Sequence, residues 1–178
     1  PQTVTITPSA TDHVSLSDTV EVTDDEPLPA VQIIDDGDPG FGVVSGSWGI
    51  GSVGYQGDNR WVAKGNGSAV VQWEFTVDPG QSYRVSATWI EASSRATDSP
   101  FTVLDGSTPL GTVDMNQELA PNDFSDAGAS WENIGVYTIS GSSLVVRLSN
   151  NANDFVIGDG IRIERVDKLH RAIGAGGE

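Results

Sequence analysis

Between Val70 and Val77 the chain alternates without a break. Val71, Trp73, Phe75 and Val77 share one face, and Gln72, Glu74 and Thr76 share the other. Successive side chains of an extended strand point to opposite sides, so this pattern fits a strand with one buried face and fits no helix. Tyr83–Trp89 repeats it, with Tyr83, Val85, Ala87 and Trp89 inward. Val31–Ile34, Phe101–Leu104, Val136–Ile139, Leu144–Leu148 and Phe155–Ile163 are further strand segments. Asp78-Pro79-Gly80, Asp105-Gly106 and Ser140-Gly141 supply turn chemistry between them. Short strands punctuated in this way predict an all-β fold, an antiparallel β-sandwich of the jelly-roll kind.

Composition narrows the partners. At 178 residues the chain can bury one well-filled core. Nine basic against 25 acidic residues give a formal charge of -16. Phosphate neutralisation needs Lys and Arg, so nucleic acid is excluded as a partner, and an anionic membrane surface would repel the chain. No apolar run is long enough to span a bilayer. There is no cysteine, hence no disulfide and no thiolate site. An acidic, Lys-poor surface suits a secreted or cell-surface protein, where dissolved calcium screens clustered carboxylates. With Pro1 at its start and no signal peptide, the chain reads as a processed or excised piece.

Three parts follow from the pattern. Residues 1–30 hold two alternating segments, Thr3–Thr7 and Thr19–Thr23, then the acidic run Asp24-Asp25-Glu26 and a stiff Pro27-Leu28-Pro29 exit. Two strands alone are marginal in water, so this part reads as a strand pair and linker from, or donated to, a neighbouring β domain. Residues 31–166 are the main domain. Residues 167–178 read as a tail, with Leu169 and Ile173 spaced for a helical turn before a glycine-rich end.

The main domain has no histidine or cysteine from Val31 to Val166. His13 and His170 lie outside it, so a Ser-His-Asp site has no local base. Glu74, Glu91, Glu118 and Glu132 offer carboxylates, but no two are marked as an acid–base pair. The domain therefore reads as non-catalytic. Gly49-Ile-Gly51-Ser-Val-Gly54 has dinucleotide-fingerprint spacing, yet Tyr55-Gln-Gly-Asp-Asn-Arg-Trp61 behind it is no helix, so it reads as a glycine loop.

Closely spaced acids are candidate calcium ligands: Asp35, Asp36 and Asp38 in one loop, Asn122, Asp123 and Asp126 in a second, Asp24–Glu26 in a third. None has EF-hand spacing, and that missing template favours a solvated turn at each loop. Asp159 shares parity with Ile157, Ile161 and Ile163, so an unbroken strand points it inward. A buried carboxylate needs a partner, and Arg60 or Arg95 would supply one, making Asp159 a structural anchor, with ligand binding as the alternative. Trp73 and Trp89 read as core. Trp48, Tyr55, Trp61 and Trp131 lie in or beside loops, where they either close the sandwich ends or, with Arg60, stack on sugar rings.

Several blocks resemble one known family in order. They are Ile33-Ile-Asp-Asp-Gly-Asp-Pro-Gly-Phe41, Gly46-Ser-Trp48, Tyr55-Gln-Gly57 with Arg60, Ala69–Trp73 and Gly80-Gln-Ser-Tyr-Arg-Val85. Arg95-Ala-Thr-Asp-Ser-Pro-Phe-Thr-Val103, Asn116-Gln117, Trp131-Glu-Asn-Ile-Gly135 and Asn151-Ala-Asn-Asp-Phe-Val-Ile-Gly-Asp159 continue the series. Together they resemble the golvesin C-terminal-like domain, also called the xanthan lyase carbohydrate-binding-like domain, over about Val31 to Val166. The chain departs from that pattern at Gly158 and Gly160, where the family has alanines, and in the acidic stretch Glu118–Asp126. Thr19–Glu26 is similar to the end of Calx-β and bacterial Ig-like repeats. The resemblance implies a sandwich appended to other modules in secreted bacterial enzymes and surface proteins.

The expectation is thus a non-catalytic extracellular module for glycan binding or surface adhesion, with calcium as the one candidate cofactor. Its partners would be a polysaccharide or cell-surface glycan, and neighbouring domains or identical subunits through the N-terminal strands. The alternative is a structural subunit of an extracellular fibre or surface layer, built by strand addition through residues 1–26.

Overall fold

The computed structural model describes residues 4–6, 18–20 and 31–166. The chain divides between Ala30 and Val31 into two units. In the first, β1 (Val4–Ile6) pairs antiparallel with β2 (Asp18–Val20), Val4 opposite Val20. The rest of the two N-terminal segments, the acidic run Asp24–Glu26 and the turn expected at Leu169 lie outside the described residues.

The second unit begins with β3 (Val31–Ile34), β4 (Phe41–Ser45), β5 (Gly49–Gly51), β6 (Asn59–Val62), β7 (Val70–Thr76) and β8 (Gln81–Ala87). It continues with β9 (Ser99–Asp105), β10 (Thr108–Met115), β11 (Phe124–Asp126), β12 (Ala129–Ile139), β13 (Ser143–Ser149), β14 (Val156–Gly158) and β15 (Ile161–Val166). Two five-stranded antiparallel sheets form, ordered β10-β9-β13-β7-β4 and β11-β12-β8-β15-β3. A smaller sheet, β14-β6-β5, is also antiparallel.

The alternation in β7 dictates the core. Val71, Trp73 and Phe75 are buried, while Glu74 and Thr76 are exposed. Phe101, Val103, Leu144, Val146 and Leu148 come from β9 and β13, and Tyr83, Val85, Ile139, Ile161 and Ile163 from the facing sheet. Phe41 lies against Trp73 with ring centroids 5.3 Å apart. Removing each such large apolar side chain from water contributes on the order of 3 kcal/mol.

Five strands carry no clear sequence signal: β4, β5, β6, β10 and β11. β5 is Gly-Ile-Gly, and β10 holds a proline and a glycine and is mostly exposed. Their order comes from their partners. The segment Phe155–Ile163, expected as one strand, is two. β14 belongs to the small sheet and β15 to a large one, and Asp159-Gly160 is the crossing.

The two glycines that depart from the family pattern flank Asp159. A β-carbon on Gly158 would meet the Trp73 ring at 3.1 Å. One on Gly160 would meet Thr88, Trp131 and Tyr55, each at 3.2 Å. Aromatic rings occupy the space that a methyl group would need.

Candidate functional site

The β3–β4 loop, the β5–β6 turn and the β14–β15 crossing meet around three carboxylates. Asp35, Asp36 and Asp159 each place an oxygen within 4.8 Å of the others. They are 2%, 1% and 2% exposed. Both Asp159 oxygens accept from the Tyr55 N–H at 3.1 Å. Arg60 Nε lies 2.8 Å from Asp36 Oδ2. It is out of line for a hydrogen bond, so the contact is ionic, and Arg60 Nη2 donates instead to the Asp36 carbonyl at 3.2 Å. Oδ1 of Asp35 and of Asp36 has no hydrogen-bond partner.

Burial dominates the electrostatics here. It pushes the Asp35 carboxyl up to about 6, helped by the charges of Asp36, Asp58 and Asp38. Asp36 also rises to about 6 by burial and the Asp58 charge, against the pull of Arg60. Asp159 rises to about 8, since burial and the neighbouring acids outweigh its hydrogen bond from Tyr55. Asp38 stands beside this group: its Oδ2 accepts from the Asp35 N–H at 3.0 Å and from Gln56 at 3.5 Å. Gln56 has a left-handed φ of 56°, which turns the chain sharply after Tyr55.

A separate cleft of about 350 Å³ is lined by Gly51, Val53, Asn59, Trp61, Ser94, Arg95 and Phe155. Trp61, on β6, is 42% exposed. Its inner face lies across Gly49, where a β-carbon would come within 2.2 Å of the indole, and Phe155 meets it edge-on at 5.9 Å. A side chain at position 49 would displace the ring, so this glycine seats the tryptophan. Arg95 is bridged to Phe155 through the backbone, and its Nε is buried without a hydrogen-bond partner. A wider groove of about 530 Å³ runs past Tyr55, Thr88, Trp89, Glu91, Ser130 and Asp159.

The five glycan-site candidates scatter. Trp131 is fully buried, wedged against Tyr55 at 5.6 Å with its Nε1–H donating to the Asp126 carbonyl, so it presents no face to a sugar. Trp48 packs half-buried on the core with Nε1 enclosed. Arg60 is engaged by Asp36 and lies over the Phe41 ring at 5.6 Å. Tyr55 lines the wide groove, and Trp61 lines the cleft.

The acidic candidates also divide. In the second loop, Asp123 and Asp126 are engaged by neighbouring side chains. Asp126 is held by Arg162 at 2.7 Å, which keeps its carboxyl below the usual range. Asp123 accepts from the Asn133 N–H and side-chain amide at 2.8 and 2.7 Å, and the Asn122 N–H donates to Glu132. Among the described residues, the group gathered closely enough for a metal is Asp35, Asp36 and Asp159. Asp159 is buried, but its expected partners were wrong: it is bound by the Tyr55 backbone, not by Arg60 or Arg95, because the strand breaks there. Arg95, Ser94 and Phe155 were missed as cleft residues. They lie far along the chain from Trp61, and no local pattern marks that meeting.

Comparison with known proteins fits this architecture. The model of the Golvesin C-terminal domain matches residues 32–165. A Paenibacillus xanthan lyase structure aligns with 86% of this chain at 21% identity and a TM-score of 0.64, and the chain spans 14% of that protein. The CBM22-1 xylan-binding domain of Paenibacillus barcinonensis Xyn10C aligns over 80% of this chain and 99% of its own, at 16% identity and a TM-score of 0.52. A family 35 carbohydrate-binding module from Clostridium thermocellum does so over 75% and 98%, at 13% identity and a TM-score of 0.52. At these identities the likeness is one of fold. No curated protein sequence gives a significant match. The ordered motifs, the antiparallel sandwich and the family match over most of its length place this chain in the Golvesin C-terminal domain family.

Proposed function

We propose that this chain is a non-catalytic glycan-binding module that works outside the cell and carries its ligand on Trp61. The observation that carries the reading is an exposed indole fixed on a glycine strand and walled by Phe155, Arg95 and Ser94. Pyranose C–H bonds stack on such a face, and the guanidinium and hydroxyl at its rim donate to sugar oxygens. The ring is held before the sugar arrives, which lowers the ordering cost of binding. Secretion and attachment to a surface belong to the same proposal. One structural neighbour is a xylan-binding domain and another a carbohydrate-binding module, which supports the class of ligand without naming the sugar.

The test is a polysaccharide panel followed by titration calorimetry. Binding that vanishes in Trp61→Ala while the unfolding midpoint holds supports the reading. Equal affinity in Trp61→Ala would remove the cleft from the account. Turnover of any polysaccharide would make the module an enzyme, and polymers that require residues 1–26 would favour the fibre reading instead.

A further inference from the structure

We infer that Asp35, Asp36 and Asp159 form a binding site for one divalent cation, calcium by the chemistry of its donors.

Distance is the first argument. One oxygen from each carboxylate lies within 4.8 Å of the other two. Two oxygens bound to a shared calcium at about 2.4 Å can lie no farther apart than about 4.8 Å. Loops from opposite ends of the domain sequence therefore deliver their ligands within the span of one ion's coordination sphere.

Unmet bonding is a second and independent argument. Asp35 and Asp36 are at least nine-tenths buried, and each keeps Oδ1 without a hydrogen-bond partner. A buried carboxylate oxygen with no partner costs stability, and such orphans are few in native proteins. A cation between the carboxylates would satisfy both atoms at once.

Charge is the third. Asp35, Asp36 and Asp159 bring three acidic groups, and Asp38 and Asp58 add to their field. Among the described residues, Arg60 is the cationic side chain that forms an ion pair with this group, through Asp36. With all three carboxylates ionised and Arg60 charged, two negative charges are left over, which one divalent ion would balance. The contrasting loop at Asp123 and Asp126 has Arg162 and Asn133 to answer its acids.

All three donors are carboxylates, with no imidazole or thiolate, so the site suits a hard cation rather than zinc. Calcium accepts mixed oxygen ligands in loose geometry, and water can complete the sphere. The bound ion would tie the β3–β4 loop to the β14–β15 crossing beneath Tyr55. That lies at the floor of the 530 Å³ groove, which Tyr55 and Asp159 both line.

The test uses the whole chain after dialysis against a chelator. Calorimetry and thermal unfolding are followed with calcium, magnesium and sodium chlorides at matched ionic strength. One calcium per chain with a raised midpoint is expected. Asp159→Asn should weaken that binding roughly 100-fold, since affinity follows ligand charge. Asp114→Asn removes an equal charge from the exposed strand β10 and should leave the isotherm unchanged. Asp35→Asn serves as a second ligand variant if Asp159→Asn does not fold. No heat and no shift of the parent at about 10 mM calcium, well above the weakest extracellular modules, overturns the inference. So does an equal loss in Asp114→Asn, or an equal effect of sodium.

Discussion

Replacing Gln117 with Met tests whether one buried amide holds the small sheet in place. Gln117 is fully buried. Its Oε1 accepts from Ser99 Oγ at 2.8 Å and from the Ile157 N–H at 2.9 Å, and its Nε2 donates to the Ile157 carbonyl at 2.7 Å. The amide thus stands where a neighbouring strand would be and completes the ladder of β14. On its other side, β14 pairs Ile157 with Trp61, the candidate sugar platform. Methionine keeps the length and flexibility of the side chain and removes all three bonds. Three buried groups are then left unmet: the Ile157 N–H, the Ile157 carbonyl and the Ser99 hydroxyl. Each costs about 1–3 kcal/mol, so the sum is about 3–6 kcal/mol after partial relaxation. For a domain of this size that lowers the midpoint by about 6–24 °C. Urea unfolding with two probes is the assay. The slope should hold while the midpoint falls. In a double-mutant cycle, Ser99→Ala should cost less in Gln117→Met than in the parent, because its partner is already gone. A loss under about 1 kcal/mol would refute the reasoning, since only an unimportant or water-replaced network behaves so.

Trp131→Ala removes a fully buried indole and its bond to the Asp126 carbonyl; a loss of about 3–5 kcal/mol in denaturant unfolding is expected, and near-neutrality would contradict its core placement. Gly160→Ala forces a methyl into contacts of 3.2 Å with Thr88, Trp131 and Tyr55; the expected cost is about 1–3 kcal/mol, read as a lowered midpoint. Asp105 accepts from the Ser140 hydroxyl, the Ser140 N–H and the Gly141 N–H, which hold its carboxyl below the usual range. Its folded value lies under its unfolded one, so its contribution is present above about pH 4 and is lost as pH falls through the folded value. Unfolding midpoints measured against pH should show parent and Asp105→Asn converging in acid and separating above that range; a constant gap would exclude the carboxylate as the cause.

Strands with a half-buried face were legible because their signal is local. Val71, Trp73 and Phe75 alternate with polar residues, and a period of two needs no knowledge of the partner. β5 and β6 were not, since Gly49 and Gly51 have no side chains to alternate. Their order depends on Trp61 lying over Gly49 and on pairing with β14, which comes from the far end of the domain. Asp35 and Asp36 were legible as clustered acids, and Asp159 as an inward carboxylate. That they share one pocket was not, because the break at Asp159-Gly160 overrides the parity on which its orientation was argued. Trp131 shows the same limit. An indole between turns looks exposed in sequence, yet Tyr55 and the Asp126 carbonyl enclose it.

The amino-acid order alone set the all-β class, the inward faces of the long strands, the acidic surface and the lack of histidine and cysteine in the main domain, because composition and short-period alternation are properties of neighbours in the chain. Folding in three dimensions decided which tryptophan faces water, which arginine meets which acid, and that carboxylates 123 residues apart come within ligand distance. Those outcomes depend on strand order and loop closure, which bring together residues whose separation along the chain leaves no trace of their contact.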